Sequence, residues 1–323
     1  MLGGQVVITS SRKGLFEAEA SRLGVRLRSA WPRGRGAARV IVFTFAFYSP
    51  STALRVFDFA VAQNSSSPAS AEAHVMQGDS LRSRNDWSGA VVEYRAAIRL
   101  KPALAIAHAG LGVALRHSGD LEGAIAECRA AIHLKPNLAE AHSTLGMALA
   151  DGDDLEGAIR ELRRAIALEP TLEEAYVGLG VALGEKGDLR GAVAAFREAI
   201  RLNPNLASAH YGLGEALDEK GDLDGAMAEL REAVRLNPDL PNAHADIGRE
   251  LLEKGEADEA ITEERLALVL KPNLADAHYL LGTALERKAD PRAALEEYRS
   301  ACELDRKNSA ACQAYDRLAR GKK

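Results

Sequence analysis

From Ala71 to Asn308 the chain repeats itself every 34 residues, seven times without a gap. The units are 71–104, 105–138, 139–172, 173–206, 207–240, 241–274 and 275–308. The fourth and fifth agree at 22 of 34 positions, which composition alone would not produce. A period of this length marks a supersecondary unit too small to bury its own apolar face, so the units must stack. Gly stands at the eighth position of all seven units (Gly78 to Gly282), and Ala at the twentieth (Ala90 to Ala294) and twenty-seventh (Ala97 to Ala301). Pro closes the first six at the thirty-second, from Pro102 to Pro272.

Each unit reads as two helices. Ala107, Leu111 and Leu115, then Ile125, Cys128, Ala131 and Ile132, follow helical spacing. Between the helices stands Gly-Asp, as in Gly119-Asp120, Gly187-Asp188 and Gly221-Asp222. Gly suits the left-handed residue that ends one helix and Asp the N-cap that starts the next. Pro291, after Asp290, suits a first helical position. The small residues at positions eight, twenty and twenty-seven predict close helix contacts.

The period, the Leu-Gly pairs (Leu111-Gly112, Leu145-Gly146, Leu179-Gly180, Leu213-Gly214), the alanines and the proline resemble the tetratricopeptide repeat family over residues 71–308. The resemblance implies an all-α, right-handed superhelical solenoid of helix-turn-helix hairpins. Residues 309–323 are expected to add a capping helix and tail, with Ala310–Ala319 helical. It also implies a concave groove lined by positions two, five, nine, twelve and thirteen of each first helix. Carried onto this chain, the early units contribute Val113, Met147, Val177 and Val181, small or apolar residues. The later units contribute Tyr211, Glu215, Asp218, Glu219, Glu253, Tyr279 and Glu286, acidic with two tyrosines. Such a groove suits an extended peptide with apolar and basic portions.

Two specialisations of the family are absent. A carboxylate clamp for chaperone tails needs Lys and Asn where this chain has Val75, Asp79, Ala109 and Val113. An asparagine ladder at the sixth position is replaced by Met76, Gly110, Thr144, Gly178, Gly212, Asp246 and Leu280.

Ahead of the repeats, residues 1–70 carry 9 basic and 3 acidic residues, whereas the rest of the chain holds 32 and 43. Residues 1–39 are Gly- and Arg-rich without a period and read as a disordered leader. Residues 40–62 begin with the apolar run Val40–Tyr48 behind Arg33, Arg35 and Arg39, and end on the small residues Ala60-Val61-Ala62. Basic flank, short apolar run and small-residue site together describe a secretory signal, here behind an unusually long lead. The run is too short to span a bilayer. Residues 63–70 form a polar linker. An exported and a cytoplasmic chain both stay open.

A formal net charge of −5 and 5% aromatic residues argue against a nucleic-acid partner. No cofactor is expected: there is no phosphate-binding glycine loop, no HExxH and no GxSxG. Six histidines at the fourth position (His74, His108, His142, His210, His244, His278) sit on separate hairpins, too far apart to share a metal ion, and read as packing residues. The three cysteines, Cys128, Cys302 and Cys312, make no disulfide framework, although the last two lie where helices fold back on one another. Glu264 breaks the pattern, standing where other units place an aromatic or Leu, and predicts either a side chain reaching out of a looser sixth hairpin or a local interaction site. The sequence reads as a non-catalytic scaffold for a protein or peptide partner. Its alternatives are an exported or envelope-associated assembly subunit, and an accessory that brings substrate to a separate enzyme.

Overall fold

The computed structural model describes residues 3–9, 27–30, 40–46, 70–307 and 309–320. It divides into two compact units, Met1–Leu104 and Ala105–Lys323. In the first, three strands, β1 (Gly3–Thr9), β2 (Leu27–Ala30) and β3 (Val40–Ala46), form an antiparallel sheet of order β1-β3-β2. Gly3 pairs with Ala46 and Leu27 with Phe45. Two segments of the period-free leader are thus strands, and β3 is the start of the apolar run. Residues 47–69, where the remainder of the signal pattern and most of the linker fall, lie outside the described residues.

The same unit holds the first hairpin, α1 (Ala71–Arg82) and α2 (Trp87–Leu100). The second holds six more: α3 (Ala105–His117) with α4 (Leu121–Leu134), α5 (Ala139–Asp151) with α6 (Leu155–Leu168), α7 (Glu173–Glu185) with α8 (Leu189–Leu202), α9 (Ala207–Glu219) with α10 (Leu223–Leu236), α11 (Pro241–Lys254) with α12 (Ala257–Leu270), and α13 (Ala275–Arg287) with α14 (Pro291–Leu304). A last helix, α15 (Ser309–Arg320), closes the array. The repeats of the second unit form an all-α helical solenoid of thirteen helices, α3 to α15, among the described residues.

Local chemistry repeats with the sequence. Asp86, Asp120, Asp154, Asp188, Asp222 and Asp290 cap the second helices, each accepting a backbone N–H three residues on. Glu256 replaces the aspartate in the sixth hairpin and makes no side-chain cap bond. The residue before the cap is left-handed in every hairpin; Gly fills it at 119, 187, 221 and 255, with φ of 83–85°. Asn85, Asp153 and Ala289 adopt the same conformation elsewhere.

The glycine at position eight lies under the side chain at position twenty-four. A Cβ on Gly146 would come within 2.6 Å of Leu162, one on Gly180 within 2.7 Å of Phe196, and one on Gly282 within 2.8 Å of Tyr298. These side chains, with the alanines at positions twenty and twenty-seven, form the buried seam of each hairpin.

Each position-four histidine does more than pack. His74, His108, His142, His210, His244 and His278 place Nδ1 2.6–2.7 Å from the Glu nineteen residues on, at position twenty-three of the partner helix. Nε2 of His142, His210, His244 and His278 lies 3.0–3.1 Å from the carbonyl oxygen of the proline six residues back, which belongs to the preceding unit. Both ring nitrogens of these four histidines face acceptors. At His244 the Glu263 hydrogen bond raises the pKa. In unit four Tyr176 replaces His and Ala195 replaces Glu, while Tyr176 Oη still donates to Pro170 O at 3.3 Å.

Candidate functional site

Two cavities open along the array, the larger across α9, α11 and α13 and the smaller between α9 and α11. The larger, about 540 Å³, is walled by Tyr211 and Glu215 of α9, by Asn242, Asp246 and Arg249 of α11, and by Tyr279 and Leu280 of α13. Lys271 and Leu274, from the turn before α13, complete its rim. The smaller, about 210 Å³, has four carboxylates, Glu215, Asp218, Glu219 and Asp246, around the single cation Arg249. The Arg249 guanidinium crosses from α11 to donate to Asp218 Oδ2 at 2.8 Å and also pairs with Asp246 on its own helix. Tyr211 Oη donates to Glu215 Oε1 at 2.7 Å and Asp246 Oδ2 at 3.2 Å. Burial and the Glu215 charge beside it push the Tyr211 hydroxyl far above the usual tyrosine range, so it stays a donor. The enclosing protein also raises the Glu215 carboxyl, against the lowering effect of that hydrogen bond.

Behind this floor lie two buried acids. Glu250 stands at the tenth position, where five of the other units have Ala, and is only 2% exposed. Its Oε2 is buried without a partner. Burial and the nearby Asp218 and Glu253 carboxylates push its pKa to about 7. Glu264 is wholly buried against Gly248, and neither carboxylate oxygen has a partner. Burial pushes its pKa to about 9, so the side chain is a neutral acid at physiological pH. The expectation that Glu264 reaches outward is corrected here: with α11 packed over position twenty-four, it has no route to water.

Sequence models described as tetratricopeptide repeat match residues 49–105, 75–139, 177–241 and 275–308, and a further TPR model matches 146–187 and 248–288. The chain belongs to the tetratricopeptide repeat family. Solved structures with this fold include the one described as the APC/C hetero-tetramer Cut9-Hcn1 (15% identity, TM-score 0.70, 83% of this chain and 52% of that one). The present chain therefore spans about half the length of that relative. PilF of Pseudomonas aeruginosa (20%, TM-score 0.60, 68% and 97%) and a tetratricopeptide repeat protein of Parabacteroides merdae (14%, TM-score 0.54, 77% and 98%) share the fold. No curated protein matches the chain. The family consists in general of non-catalytic scaffolds that bind protein or peptide partners.

Within this tetratricopeptide array, Tyr211, Glu215, Asp218, Glu219 and Tyr279 border the two cavities. Glu253 is exposed on α11 beside Glu250 and borders neither. Glu286 is engaged by the capping helix: Arg317 grips it with two bonds of 2.7–2.8 Å, and Tyr298 Oη donates to it at 3.0 Å. The Arg317 guanidinium holds the Glu286 carboxyl below the usual range. Val113, Met147, Val177 and Val181 line neither of these two cavities; Met147 and Val177 pack against the central core, and Val181 is 41% exposed. Arg249, Asp246 and Lys271 are functional candidates that the sequence reading passed over. Arg249 was legible, since it is the one basic residue at position nine in any repeat. Among the described residues no three His, Cys, Asp or Glu side chains converge to hold a metal ion, and no helix is long and apolar enough to cross a membrane.

Proposed function

We propose that this chain is a scaffold whose later repeats hold an extended, basic segment of a partner protein. The observation that carries the reading is the pair of cavities across α9, α11 and α13, where carboxylates outnumber cations and two tyrosines stand at the walls. Carboxylates there attract and orient basic side chains, while tyrosine faces accept aliphatic stems and guanidinium planes. The apolar stretch around Val181 would take a flanking hydrophobic residue. Panning a displayed random-peptide library on the full chain is expected to select sequences rich in Arg and Lys. The variant E215K/E219K/E253K should lose those binders. Selection without basic enrichment, or binders kept by the variant, would move the site elsewhere.

A second reading concerns the compartment. Cys302 and Cys312 form a disulfide that ties α15 to α14, with Cα atoms 4.8 Å apart. Such bonds persist in oxidising compartments, and the basic-then-apolar pattern of residues 33–48 agrees with export of an envelope-associated subunit. Natural protein is therefore expected to resist thiol alkylation at both cysteines until reduced, and to begin after residue 48. Free thiols together with an intact Met1 would refute export.

A further inference from the structure

The cation site of the groove already contains a cation from its own chain. Asp218 on α9 and Asp246 on α11 receive the Arg249 guanidinium between them, an arrangement with the planar fork geometry that arginine brings to carboxylates. Every other unit places Asp, Val, Met, Glu or Thr at this ninth position. The Arg249 side chain is 41% exposed, so it can leave without unpacking the hairpin. It also fails to balance the site. Glu215 and Glu219 remain on the wall of the smaller cavity, and Glu250, buried one residue along from Arg249, leaves Oε2 unpartnered. The carboxylates are not placed to converge on a metal ion.

We infer that Arg249 is an internal competitor: it occupies the site of a partner's arginine, and a guanidinium-bearing peptide binds by exchanging with it at Asp218 and Asp246. The inference rests on the reading of the later repeats as a peptide groove and adds the residue class that is recognised. A tethered competitor reduces apparent affinity by the fraction of time the site stands empty. It also makes the site selective, because a lysine cannot bridge both aspartates as the planar fork does. The partner's backbone would then run into the 540 Å³ cavity between Tyr211 and Tyr279.

The test uses the full chain and Nα-acetyl-arginine methylamide as probe, followed by NMR titration. R249M keeps the aliphatic stem and removes the guanidinium; it is expected to bind the probe about tenfold more tightly than the parent. Adding D218N and D246N to R249M should abolish the gain, and the lysine analogue of the probe should show little of it. R249M binding no better than the parent overturns the inference, as does a gain that survives loss of both aspartates. Should circular dichroism show R249M unfolded, R249K carries the test, with a gain of about threefold expected and none overturning it. The outcome separates from that of the peptide library. Basic binders lost in E215K/E219K/E253K, with no gain in R249M, would leave the groove standing and remove only the competitor.

Discussion

Glu264→Leu is expected to stabilise the protein, by on the order of 3 kcal/mol at pH 7. Position twenty-four holds Leu in the third and fifth units, where Leu162 and Leu230 fill the same space against Gly146 and Gly214. In the sixth unit a carboxyl group takes that place with no partner. In the unfolded chain this acid releases its proton near the ordinary pKa of about 4.5, whereas the folded protein retains it to about 9. Folding therefore takes up a proton between those values. The native state has its full stability below about pH 4.5 and loses it progressively as pH rises toward 9. Leucine removes that slope. Urea unfolding of parent and variant from pH 5 to 9 checks this: the gap should widen with pH. A gap that stays flat would mean that Glu264 ionises inside the fold or finds water there.

Phe196→Ala is expected to cost about 3–5 kcal/mol. Phe196 of α8 is 3% exposed, and its ring is flanked by two glycines, Gly180 on its own hairpin and Gly212 on the next. The ring thus holds two repeats together. A Cβ on Gly212 would fall on the ring edge, so Gly212→Ala alone should destabilise by about 1–3 kcal/mol through overpacking. In the Phe196→Ala background the same methyl enters vacated space and adds helix propensity worth about 1 kcal/mol. Its effect should change sign. Equilibrium denaturation of the two single variants and the double variant closes the cycle. Additive losses would show that the two positions do not meet.

The fold was legible because the repeat wrote it seven times. The left-handed glycine that ends a first helix and the Asp after it each have one backbone role, and that role appears in the structure at Gly119-Asp120 and Gly187-Asp188. The groove was legible only in outline. Position numbering alone placed Tyr211, Glu215, Asp218, Glu219 and Tyr279 around the cavities, but it could not show that Arg317, distant in sequence, would claim Glu286. Nor could it show that Met147 and Val177 would turn into the core. Those outcomes depend on side-chain direction and on neighbours that the period does not encode. The histidines are a different case. Their partners were readable, since Tyr176 and Ala195 change together in the one unit that lacks His. Helical spacing within a single helix draws attention to apolar stripes, not to a polar pair nineteen residues apart. Glu264 shows the opposite limit. The pattern flagged it, and only the packing of Gly248 over it decides that the charge, not the hairpin, gives way.

The histidine bonds also bear on how such a chain came to be its present length. A histidine takes its glutamate from its own unit and its proline carbonyl from the unit before. From the third unit to the sixth, each 34-residue segment thus carries one half of the joint behind it and one half of the joint ahead, with Tyr176 standing in for histidine in the fourth. Copying a whole segment in tandem inserts two matching halves and leaves no joint open. Lengthening the array requires no newly evolved interface, whereas gaining or losing a fraction of a segment breaks two. The chain behaves like a row of identical couplings: free to grow by whole carriages, and closed to any other change of length.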